Sequence, residues 1–170
     1  AVLITSSAEE PTRYDWNSLR FNNESIINYA VIEYGRLINP GSNSVISNSI
    51  MRHIGECGVC LGGSLDNVKI INNHIYDAGH ELIDIHNSDV YIEGNDLGPN
   101  LTYDPNIKGN VGGRGIVLDL SKGGLVEIYY NIFHDINFAA ILPIKSAPEI
   151  PFILEWNIFY LNSSDIFCPQ

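Results

Sequence analysis

The stretch Val68-Lys69-Ile70-Ile71-Asn72-Asn73-His74-Ile75 returns three times along the chain. It recurs as Val90-Tyr91-Ile92-Glu93-Gly94-Asn95-Asp96-Leu97, as Val126-Glu127-Ile128-Tyr129-Tyr130-Asn131-Ile132-Phe133 and as Phe152-Ile153-Leu154-Glu155-Trp156-Asn157-Ile158-Phe159. The shared frame is apolar-x-apolar-x-x-Asn-x-apolar. A looser copy, 43–50, centres on Asn48, and a sixth, 25–32, carries Ala30 at the Asn position. The separations are 18, 25, 22, 36 and 26 residues, which is the interval of stacked supersecondary units. Strands follow from the branched aliphatic residues and their alternation, and no segment keeps helical periodicity over three turns.

Second short strands follow each Asn by about ten residues, at Val59–Leu61, 82–85, 115–120 and 139–144, with 165–167 closing the last unit. A first unit, 2–21, lacks the Asn frame. The reading is one all-β solenoid of about seven coils over residues 1–170. The opening Ala1-Val2-Leu3-Ile4-Thr5 already reads as strand without an initiator Met, so the chain is expected to be a processed or excised piece of a longer one.

An Asn at a sharp corner tolerates left-handed backbone. With coils ~4.8 Å apart, its amide also bonds the next one in an internal ladder. Asn48, Asn73, Asn95, Asn131 and Asn157 are the expected rungs. The long interval before Asn131 holds an inserted loop at 98–113, rich in turn formers. Such insertions project from one face of a solenoid, often the binding face.

A net charge of −11 and a pI near 4.6 argue against nucleic acid as partner. No apolar run reaches the ~20 residues of a membrane span. Cys57 and Cys60 read as ordinary strand cysteines, because a zinc site needs a second ligand pair that the sequence does not show. Three sequons, at Asn23, Asn100 and Asn162, fit a secreted, glycosylated surface.

Through the Asn frames, 4–7, 15–21 and 26–35, the chain resembles the right-handed parallel β-helix repeat proteins. That group includes pectate lyases and the NosD-like carbohydrate-binding and sugar-hydrolase domains. The resemblance covers nearly the whole chain and implies a single-stranded right-handed parallel β-helix. Family enzymes carry their chemistry on the outer face of one stacked sheet. Placing Val59, Leu61, Ile83, Ile85, Ile116, Leu118, Leu142 and Ile144 inward leaves His86, Asp119 and Lys145 in one outward line, with Asp84 and Arg114 beside it. A carboxylate between an imidazole and an ammonium suits abstraction of a proton alpha to a uronate carboxylate. The bland alternative is a solvated row of alternating charges.

There is no cluster of three aspartates like that of polygalacturonase-type hydrolases. Tyr103-Asp104-Pro105-Asn106 is similar to the Asp-Pro-His loop of mannuronan epimerases, but with Asn106 in place of the His. Tyr103 and Asp104 remain candidate binding residues. No cofactor is required by this reading. Calcium is compatible, with Asp84, Asp119, Asp96 or Asp104 as oxygen donors. His53, His74, His80 and His134 fall in different columns and read as surface or turn residues. Tyr91, Tyr129, Tyr130, Trp156 and Tyr160 could stack on sugar rings.

The leading expectation is a noncatalytic extracellular or cell-surface module that binds a polysaccharide or glycan, or builds an extended assembly. Self-association would run through uncapped solenoid ends. The alternative is a lyase or hydrolase acting on acidic glycans.

Overall fold

The computed structural model describes residues 1–101, 113–146 and 152–166. Alternation decides its architecture. In Val68–Ile71, Val68 and Ile70 are buried while Lys69 is exposed, and the same rhythm runs through Val90–Glu93 and Val126–Tyr129. These strands stack in parallel register in a six-stranded sheet. A seven-stranded sheet follows in each coil, containing His74–Ile75, Asp96–Leu97 and Ile132–His134. The third wall is a four-stranded sheet of Val59–Leu61, Glu81–His86, Arg114–Leu120 and Ala139–Ser146. All strand pairings described are parallel, and no helix occurs among the described residues. The fold is the parallel β-helix that the repeated frame implies, with its apolar core enclosed by the three walls. Among the described residues no helix is long and apolar enough to cross a membrane.

The internal ladder is present, with one correction. Asn73 donates from its backbone and side-chain nitrogens to Asn95 Oδ1 at 2.8 and 3.0 Å. Asn95 Nδ2 donates to Asn131 Oδ1 at 2.9 Å, and Asn131 Nδ2 to Asn157 Oδ1 at 3.0 Å. Asn48 is not a rung. Its side chain is exposed and donates to Asn28, whereas Ser49 is buried and supplies the polar atom. Asn73 Oδ1 accepts from Ser49 N, and Ser49 Oγ accepts from Ala30 N, both at 3.0 Å.

Two residues divide what one Asn was expected to do. The left-handed corner is made by the residue before each rung: Tyr29, Asn48, Asn72, Gly94, Tyr130 and Trp156 have φ between 49° and 66°. The rung keeps ordinary backbone and contributes its amide or hydroxyl. Asn48 was misassigned because it fits the corner and stands one place early.

Five residues after every rung comes a second corner, at Gly35, Ile54, Ala78, Asn100, Ile136 and Asn162. This corrects one glycosylation candidate. Asn100 is 0% exposed, and its Nδ2 donates to the carbonyls of His80 and Arg114 at 3.1 and 2.8 Å, so it offers no acceptor nitrogen to a glycosyl donor. Asn162 is half-buried, with Nδ2 donating to Phe133 O at 3.0 Å. Asn23 is exposed, its Oδ1 accepting from Ser42 N.

Cys57 and Cys60 are joined by a disulfide, which corrects their reading as ordinary strand cysteines. In Ala139–Ser146 the inward set is also corrected. Ile141 lies in the main core, while Leu142 packs with Val117, Ala139 and Phe138 in a separate cluster. The expected inward residue Ile144 is exposed, because the register shifts after Leu118 pairs with Pro143, and Asp119 then pairs with Lys145. A proline without a backbone donor is at home beside such an irregularity.

Candidate functional site

The four-stranded sheet brings together much of the expected column. Parallel register places His86 opposite Asp119 and Asp119 opposite Lys145. His86 Nε2 lies 3.0 Å from Asp84 Oδ2, and its Nδ1 lies 3.8 Å from Asp119 Oδ2. An imidazole is thus held between two carboxylates on a half-exposed surface.

Burial pushes the Asp84 carboxyl above the usual range, and the nearby Glu81 charge adds to this, while the charge and hydrogen bond of His86 work in the opposite direction. A carboxyl raised in the folded state contributes stability below its unfolded value, and that contribution is lost as pH rises through the folded value. Above the folded value the ionised Asp84 therefore opposes folding. Asp84→Asn is expected to raise Tm at pH 7–8, with the gain shrinking as pH falls toward about 4, the unfolded aspartate value. Thermal melts across that range measure it.

Arg114 does not join this column. It stands five residues before Asp119 on the same strand, about 16 Å away at ~3.3 Å per residue. There its Nη1 donates to Glu81 Oε1 at 2.9 Å, and its guanidinium sits 5.7 Å from the Phe138 ring centroid. His80 Nδ1 lies 2.5 Å from the other Glu81 oxygen. Beside this group, Arg114 Nε and Asn100 Oδ1 are buried without a hydrogen-bond partner among the described residues. Tyr103 and Asp104 lie outside the described residues.

The seven-stranded sheet carries a second constellation that sequence reasoning missed. The Tyr34 and His53 rings stack at 5.1 Å, His53 meets Tyr76 edge-on at 6.3 Å, and Tyr76 lies 4.4 Å from His74. Further along, Asp96 Oδ1 is 3.0 Å from His134 Nε2, and His134 stacks on Tyr160 at 5.3 Å. The rings of Tyr34, His53, Tyr76 and His74 lie on three successive coils, and Asp96 of the next coil bridges His74 and His134 at 3.6 and 3.0 Å, so that rings and carboxylate together form one stripe along the solenoid.

Several contacts fix the stripe. Arg52 Nε donates to Glu33 at 2.6 Å, and its Nη1 donates to the Tyr76 hydroxyl at 3.2 Å. Burial raises the Glu33 carboxyl, but hydrogen bonds from Arg52 and Thr5 and the Arg52 charge outweigh it and hold the group below its usual range. Asp77 pairs with Arg13, and its Oδ2 is 2.5 Å from His53 Nδ1. A cavity of about 250 Å³ opens here, lined by His53, Tyr76, Asp77, Pro99 and Leu101, where the insertion leaves the coil.

The expected aromatic set is split. Tyr91 and Tyr129 meet at 5.7 Å outside the six-stranded sheet. Tyr130 and Trp156 stack at 6.5 Å on the first corner, 57% and 72% exposed. Only Tyr160 belongs to the stripe. A signal for it did exist: positions one, three and four after each rung face outward, and they supply His74, Asp96, Tyr76, His134, Tyr160, Tyr34, His53 and Asp77.

With parallel coils and this surface established, the family comparison is direct. A family model described as a right-handed β-helix region matches residues 12–156. The chain belongs to that family. Right-handed β-helix proteins of this family are often carbohydrate-related. No curated protein matches the chain.

Proposed function

We propose that this β-helix protein is a noncatalytic, extracellular or cell-surface module that binds a polysaccharide or glycan along the seven-stranded sheet. The observation that carries the reading is the ring stripe with its cavity at His53, Tyr76 and Asp77. Flat rings stack on the apolar faces of sugars, and planar carboxylates accept from their hydroxyl pairs. Coils ~4.8 Å apart let an extended glycan pass its rings over successive side chains. The net charge of −11 favours a neutral glycan over an acidic one. The Cys57–Cys60 disulfide and the exposed sequon at Asn23 support an oxidising, extracellular setting.

A second reading has its own observation. His86, held between Asp84 and Asp119, has the makings of a general base for a lyase or hydrolase. Screening a panel of neutral and acidic polysaccharides separates the two. Tyr76→Ala is expected to weaken the best binder about tenfold or more, with His86→Ala neutral. Chain cleavage that disappears with His86→Ala would replace the binding reading with the enzymatic one.

A further inference from the structure

A Cys-x-x-Cys pair supplies two of the four ligands that a zinc-class ion requires. The chain offers no second pair in sequence, but the next coil brings one. Glu81–His86 lies parallel against Val59–Leu61, with Asp84 directly across from Cys60. Cys57 Sγ and one carboxylate oxygen each of Glu81 and Asp84 lie within 4.8 Å of one another. Ligands at zinc distances on a tetrahedron stand about 3.3–3.8 Å apart, so a modest contraction would bring these three donors to shell distances, while Cys60, bonded to Cys57 and outside that group, becomes the fourth only once reduction frees its sulfur.

The surroundings favour a cation. Cys57, Cys60 and Glu81 are 7%, 8% and 5% exposed, so water screens the Glu81 carboxylate poorly, while Asp84 is half-buried. Glu81 is also oriented from behind, by Arg114 on one oxygen and His80 on the other, as metal-binding carboxylates commonly are. Each of those oxygens retains a further lone pair for a metal.

We propose that Cys57, Cys60, Glu81 and Asp84 form a redox-gated site for one divalent ion of the zinc class. In the oxidised protein the sulfurs are held by their disulfide. A dithiol reductant breaks that bond by exchange, supplying two electrons and two protons and leaving as its own disulfide. Zinc then displaces the two thiol protons to solvent, and the carboxylates complete the shell. This assignment is independent of glycan binding.

The test uses the full chain, reduced and then freed of reductant without oxygen, titrated with Co²⁺ and afterwards with Zn²⁺. Reduced protein is expected to bind one ion with a thiolate-to-cobalt charge-transfer band, and oxidised protein none. Asp84→Asn is expected to weaken binding at least tenfold, Cys57→Ser/Cys60→Ser to abolish it, and Cys168→Ser to leave it intact. Should the double serine variant fail to fold, the Asp84→Asn affinity and the Cys168→Ser band decide. No thiolate band in the reduced protein, unchanged affinity in Asp84→Asn, or loss of the band in Cys168→Ser would each overturn the assignment.

Discussion

Asn95→Ala is expected to lower the free energy of unfolding by about 3–5 kcal/mol, since it strands several buried partners at about 1–3 kcal/mol each. Asn95 Oδ1 accepts from both nitrogens of Asn73, and its Nδ2 donates to Ile70 O, Glu93 O and Asn131 Oδ1. Alanine replaces none of these, and the apolar interior leaves no water to do so. Asn95→Ser should cost less, because Ser49 already serves as a rung by accepting from Ala30 N and donating to Ser47 O. The exposed Asn48→Ala should stay within about 0.5 kcal/mol. Chemical denaturation of the three variants gives the order, and an equal cost for Asn48 and Asn95 would contradict the ladder assigned here.

Phe133→Ala is expected to cost about 3–5 kcal/mol, the range for emptying a buried aromatic site. Phe133 is 0% exposed, and its ring stacks on that of Phe159 at 4.8 Å. Its column runs through the coils as Ile32, Met51, Ile75, Leu97, Phe133 and Phe159, so the cavity would open between stacked layers that a rigid backbone spacing keeps apart. Ile132, one residue earlier, faces outward, and Ile132→Ala should cost under about 1 kcal/mol. Urea midpoints measured at unchanged m-value test both.

The fold was legible because its physics repeats. Each coil must bury the same alternate positions and satisfy the same corner, so one frame with Asn at its centre recurs at 73, 95, 131 and 157. Asn48 shows the limit of that reading: two neighbouring polar residues, Asn48 and Ser49, both suit the corner, and only the register decides which one points inward.

Lys145 reached its place opposite Asp119 by a route invisible in sequence. The fourth strand is out of step at Leu142, and the extra residue Ile144 restores the step. Arg114 failed as a neighbour of His86 because distance along a strand, unlike distance across coils, grows by ~3.3 Å with each residue. The ring stripe was missed for a different reason. Its members sit at three frame positions in different coils, and only the stacking of those coils turns them into one surface.

The most direct measurement is hydrogen exchange of the protein with and without the oligosaccharide it binds best. The account predicts added protection at the amides of the seven-stranded sheet and corner around Tyr34, His53 and Tyr76, and none on the four-stranded sheet at Asp84, His86 and Asp119. Protection confined to the Asp84 to Asp119 face, with the ring stripe unchanged, would contradict it.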